Sequence, residues 1–126
     1  MDGGLADSIP IEYALEKGND KIVVVLTRNP GYRKKRAIKA TEQLYKRAYK
    51  KYPNLVRTIM TRNAVYNKQM KLIEKLEEEG KIFVIRPLIP TVSRMEKDYD
   101  KLQHFYMHGN RLMKKEYQGL LEYLNE

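Results

Sequence analysis

Nine of the 25 lysines and arginines lie between Arg33 and Lys51, and they are the most conspicuous chemistry in the chain: Arg33, Lys34, Lys35, Arg36, Lys39, Lys46, Arg47, Lys50 and Lys51. Glu42 is the one acid among them, so the segment carries +8 of a total of +9, leaving 16 basic and 15 acidic residues elsewhere. Cations at this density attract phosphate, whether on nucleic acid or on anionic lipid headgroups, although a charged helix face is by default simply solvated. The ten tyrosines fall mostly at inward helical positions, which favours core packing over base stacking and ranks nucleic acid behind a lipid surface. His104 and His108 have the i, i+4 spacing of a helical metal pair, but the residues between them, Phe105-Tyr106-Met107, provide no glutamate, and no metal site is expected. The serines are Ser8 and Ser93, and neither is flanked by glycine in a nucleophile elbow. With no cysteine, no P-loop and no dinucleotide-binding glycine pattern, thiol chemistry is excluded and no cofactor is expected.

A chain of 126 residues with 42% hydrophobic and 33% charged residues fits one soluble globular domain. Its longest apolar run, Ile22–Leu26, is far below the roughly 18–20 residues of a membrane span. Met1 is followed by Asp-Gly-Gly rather than a basic n-region and an apolar run, which predicts no secretory signal. The absence of cysteine fits a reducing compartment. A cytoplasmic location, extending to the inner face of the membrane, is the expectation.

The elements follow from punctuation and periodicity. Residues 2–8 read as a loop in which two adjacent glycines open backbone angles closed to other residues. A short helix is predicted over 9–17, capped by Asp7 or Ser8 and closed by Gly18. The β-branched run within 21–27 predicts a strand buried on both faces, as in a parallel sheet. Steps of three and four through Ala37, Ile38, Thr41, Leu44, Tyr45, Ala48, Tyr49 and Tyr52 predict a basic amphipathic helix over 33–52. Pro53 breaks it and opens a second helix running to about residue 79, with Gly80 as terminator. A second strand is expected at 82–85. Ser93-Arg94-Met95-Glu96 matches a capping box for a final helical stretch, with a break near Gly109. Two buried strands cannot complete a parallel sheet, so an added strand from the Gly3 region, another chain or a further segment is expected to cover their edges.

Asp2-Gly3-Gly4, with Pro10, a helix and the buried strand behind it, resembles the aspartate motif of patatin-like phospholipases. The remainder is similar to the C-terminal part of the bacterial members: Asp20-Lys21-Ile22-Val23-Val24-Val25-Leu26-Thr27-Arg28, Gly31-Tyr32-Arg33-Lys34-Lys35, Tyr52-Pro53-Asn54-Leu55, Val65-Tyr66-Asn67 and Ile85-Arg86-Pro87. The likeness extends over essentially the whole chain.

This resemblance implies an α/β fold, a partial parallel sheet with flanking long helices forming the C-terminal segment of a patatin-like, α/β-hydrolase-related domain. Within that segment, 1–32 would be a loop, helix and strand with the aspartate motif. Residues 33–80 would hold the basic helix and a second helix, and 81–126 a strand and the C-terminal helices. The implied activity is lipid acyl ester hydrolysis by a Ser–Asp dyad without a cofactor. Asp2 matches the dyad aspartate, which accepts the serine proton, and Gly3 and Gly4 would let the backbone approach the nucleophile loop. No Gly-x-Ser-x-Gly and no glycine-rich oxyanion loop occur in the sequence, so the chain alone is expected to be inactive. Met1 directly before the motif suggests a shortened reading frame. The implied partners are a lipid or phospholipid substrate and peripheral contact with an anionic membrane through the nine cations of 33–51. The alternatives are a stand-alone basic module on nucleic acid or membrane, and a structural remnant that forms a homo-oligomer through its open sheet edges.

Overall fold

The computed structural model describes residues 3–35 and 38–125. The chain divides into two compact units, Met1–Asn19 with Arg33–Lys75, and Asp20–Tyr32 with Leu76–Glu126. Its elements are a 3₁₀ turn (Gly3–Leu5), α1 (Ile11–Glu16), β1 (Val23–Val25), α2 (Lys39–Ala48), α3 (Pro53–Glu78), β2 (Phe83–Ile85) and α4 (Tyr99–Asn125).

In the first unit α3 carries most of the core. Val56, Tyr66, Met70 and Ile73 recur at steps of three and four and are buried, with Met70 and Ile73 fully enclosed, and α1 contributes Ile11. Burying a Met or Ile side chain contributes about 1.5–3 kcal/mol, whereas α2 contributes no buried residue. Pro53 opens α3 at the position where its missing N–H has no intrahelical partner anyway. Gly80 closes it at φ +67°. There the Lys81 N–H donates to the Leu76 carbonyl (2.9 Å) and the Gly80 N–H to the Glu77 carbonyl (3.0 Å), a Schellman motif.

The second unit is built on one parallel pair, with Val23 opposite Phe83, Val24 opposite Val84 and Val25 opposite Ile85. Val24, Leu26, Ile82 and Ile85 are buried. Tyr123 of α4 ties the entry of both strands together: its hydroxyl accepts from the Ile22 N–H (3.0 Å) and donates to the Lys81 carbonyl (3.0 Å), and its ring lies 5.8 Å from that of Phe83. At the strand exits the Asn29 side-chain amide donates to the carbonyls of Pro87 (3.0 Å) and Ile89 (2.7 Å).

Several expectations are corrected. The chain is mostly helical, 60% helix against 5% strand, and the described residues hold a single two-stranded sheet. It is not the α/β, patatin-like arrangement of a partial sheet under flanking helices. The cause is a shortage of partners: only three residues of the apolar run 22–26 find a ladder opposite them, because β2 is itself three residues long. Nor is β1 buried on both faces, for Val25 is 70% exposed and Val23 39%. The Gly3 region adds no strand and forms the 3₁₀ turn instead.

The basic helix is also shorter than its periodicity suggested. Residues 33–35 are not helical, because side-chain amides of α3 take the backbone groups that a helix would use. Asn67 accepts from the Lys34 N–H (2.9 Å) and donates to the Lys34 carbonyl (3.0 Å), while Asn63 donates to the Lys35 carbonyl (2.6 Å). Ser93 makes a turn rather than a helix cap, bonding the Met95 N–H (3.0 Å). Asp98 caps α4, accepting from the N–H groups of Asp100 (3.0 Å) and Lys101 (3.2 Å). α4 then runs unbroken through Gly109. Among the described residues no helix is long and apolar enough to cross a membrane.

Candidate functional site

Asp2 lies outside the described residues, as does Arg36; the loop that follows Asp2 is described from Gly3 onward. The N–H groups of Ala6 and Asp7 both donate to the Gly3 carbonyl (3.0 Å each), which closes the 3₁₀ turn. The Ser8 hydroxyl donates to the Gly4 carbonyl (2.9 Å) instead of capping α1.

Gln69 holds this loop from behind. It is the one buried polar residue among the described residues, 3% exposed in the middle of α3. Its side-chain nitrogen donates to Asp7 Oδ1 (2.6 Å) and its oxygen accepts from the Ile9 N–H (3.3 Å). A buried amide costs stability unless both ends are satisfied, and here the loop on either side of Ser8 satisfies them. Gln69 is absent from the sequence expectations, and Asp7, expected as a cap for α1, makes no cap bond and accepts from Gln69 instead. A polar residue directly before Met70 in an otherwise apolar helical stripe was the available signal.

The described cations of 33–51 do not form one stripe. Arg33 makes a bidentate pair with Glu74, one arm at 3.0 Å. The hydrogen bond to Glu74 raises its pKa, against an opposing effect of desolvation. Lys34 sits 4.0 Å from the centroid of the buried Tyr66 ring, a cation–π contact. Both side chains are committed to the protein. Lys46 pairs with Glu42 one turn away (2.7 Å), and Lys39, Arg47, Lys50 and Lys51 are exposed on or just after α2.

Each unit carries a groove of its own. In the first unit, a groove of about 360 Å³ is floored by Tyr49, Pro53, Val56 and Met60 and rimmed by Lys46, Lys50 and Arg57. In the second unit, an apolar groove of about 270 Å³ opens beyond the carboxyl ends of β1 and β2, lined by Val25, Leu26, Phe105, Leu112 and Met113. His108 stands at its wall and accepts the Leu88 N–H at Nε2 (3.1 Å), so this nitrogen is engaged by the backbone. The described residues contain no cluster of three or more metal-ligating side chains.

The family profile described as domain of unknown function DUF6363 matches residues 52–125. The chain belongs to the DUF6363 family. Its match takes in α3, β2 and α4, and therefore Gln69, Glu74 and Tyr123. The Asp-Gly-Gly loop, β1 and α2 precede it. No curated protein and no solved structure matches the chain.

Proposed function

We propose that this DUF6363 chain contributes the aspartate loop of a patatin-like serine lipid acyl hydrolase whose nucleophilic serine comes from outside these 126 residues. Asp2 is the proton acceptor of the Ser–Asp dyad, and Gly3 and Gly4 give the nucleophile loop room to approach. The serine oxygen attacks the ester carbonyl as its proton passes to the Asp2 carboxylate. The alcohol leaves with that proton, and water, deprotonated by the same carboxylate, releases the acyl group.

The observation that carries the reading is the clamp behind the motif. A catalytic aspartate on a loop requires a support that holds its backbone. Here the segment after Asp2 is closed by its own 3₁₀ turn and tied at Asp7 and Ile9 to the buried Gln69. The open edges of the β1–β2 pair, with the apolar Val23 and Val25 exposed, suit a chain that works against further polypeptide.

The test is kinetic. In the longest in-frame polypeptide containing these residues, Asp2→Asn should lower kcat on a p-nitrophenyl acyl ester by about 10²–10⁴ with little change in KM. Unchanged turnover in the Asp2→Asn protein would overturn the assignment.

A further inference from the structure

We propose that the outer face of α2, with the turn into α3, docks on an anionic phospholipid surface. This surface lies wholly within the first unit and does not rest on the hydrolase reading. Residues 38–61 contain six cations (Lys39, Lys46, Arg47, Lys50, Lys51 and Arg57) against Glu42 alone, a local charge of +5. All six are exposed, and Lys46 pairs with Glu42. Arg33 and Lys34, which sequence alone would have included, are excluded by their engagement with Glu74 and Tyr66. Arg57, which it omitted, is brought to the same groove as Lys46 and Lys50.

Charge by itself would not choose between a membrane and a nucleic acid; the apolar residues beside it do. Ile38, Leu44 and Tyr52 are 74%, 66% and 62% exposed around α2, and α2 buries no residue of its own in the protein. Large aliphatic side chains set among lysines gain free energy at the boundary between headgroups and acyl chains and little on a phosphodiester backbone. Base stacking, in turn, needs open aromatic faces. Tyr45 and Tyr49 are stacked on each other with centroids 6.0 Å apart, and Tyr66 is buried beneath Lys34, which leaves Tyr52 as the one well-exposed, unstacked ring among these four, too few to hold a run of bases. The groove floored by Pro53, Val56 and Met60 under a cationic rim has the polarity of a lipid that presents an anionic headgroup above an apolar chain.

Each cation near an anionic leaflet strengthens binding about fivefold. The test is co-sedimentation of the full chain with vesicles of phosphatidylcholine alone and with vesicles one-third phosphatidylglycerol, at about 0.05 M and about 0.5 M salt. The chain should pellet with the anionic vesicles only, and salt should release it. The triple variant Lys50→Gln/Lys51→Gln/Arg57→Gln should lower partitioning on the order of 100-fold. A control of equal charge loss, Lys97→Gln/Lys114→Gln/Lys115→Gln on and before α4, should stay within about threefold of the parent, since those charges belong to the second unit and not to the α2 surface. Leu44→Ser should weaken binding about tenfold by removing the apolar anchor. Circular dichroism melts confirm that each variant is folded. Equal losses in the two triple variants, equal binding to neutral vesicles, or no binding at low salt would overturn the proposal. So would self-association or tight single-stranded RNA binding that uses these residues while anionic vesicles fail to compete.

Discussion

Replacing Gln69 with leucine isolates the clamp behind the aspartate motif. The side chain is 3% exposed and makes two hydrogen bonds, one to the Asp7 carboxylate at 2.6 Å and one from the Ile9 N–H at 3.3 Å. A bond to a charged partner contributes about 1.5–3 kcal/mol net and a neutral one about 0.5–1.5. Asp7 is exposed and regains water when released, which places its share at the low end, and the longer Ile9 bond contributes less. Leucine nearly matches glutamine in volume and leaves no cavity, so the expected loss is about 2 kcal/mol, or a fall in Tm of about 6–8 °C. The effect should be local first. In hydrogen exchange the Ile9 amide, together with those of Ala6 and Asp7 that bond Gly3, should lose about 30-fold in protection. Asp7→Asn retains an acceptor and should cost only about 1 kcal/mol. Unchanged Ile9 protection in Gln69→Leu would refute the reasoning. So would an equal loss at Ile9 in Asn63→Leu, which frees a different segment.

Four further outcomes follow from the same geometry. Ile73→Ala, at a fully buried position, should cost about 2–5 kcal/mol by urea unfolding, while Val25→Lys at 70% exposure should stay within about 0.5. Gly80→Ala should cost about 1–2 kcal/mol: the added Cβ meets nothing within 4 Å, so the cost lies in the backbone at φ +67°. Tyr123→Phe should cost about 1–2 kcal/mol and expose the Ile22 amide to exchange, because it strips a partner from the strand entries. Glu74→Gln should cost about 1 kcal/mol, since the pair is about one-third exposed. The hydrogen bond to Glu74 raises the Arg33 pKa above its ordinary value, so the guanidinium's share is fully present below that ordinary value and lost only as pH climbs through the raised one. Difference melts of parent and Glu74→Gln should therefore be flat between about pH 6 and 9.

The parts of the fold legible in the sequence were those with local causes. α3 was read correctly to within a residue because Pro53 and Gly80 each impose a boundary through their own backbone constraints. Within it Val56, Tyr66, Met70 and Ile73 recur at helical spacing and are buried, a local pattern of the same kind. The errors have non-local causes. Arg33 and Lys34 carry helical periodicity, but side chains of α3 more than 30 residues away claim their backbone and their charge. The β-branched run announced a buried strand, yet burial on both faces needs neighbours that periodicity cannot supply, and Val25 stands exposed. The capping-box pattern at Ser93 placed the start of the last helix too early, because the capping oxygen comes from Asp98, directly before Tyr99. Of the candidate site, the glycines and the cations were visible as residue types. Gln69 was not, because its role depends on the loop folding back onto α3.

Fluorophosphonate labelling tests the central claim most directly. The 126-residue chain alone should take up no label, having no Gly-x-Ser-x-Gly. The longest in-frame polypeptide containing it should take up one equivalent on the nucleophilic serine, read by intact mass, and Asp2→Asn should slow that labelling by about 10² or more. Labelling at an unchanged rate in the Asp2→Asn protein, or labelling of the chain alone at Ser8 or Ser93, would contradict the account.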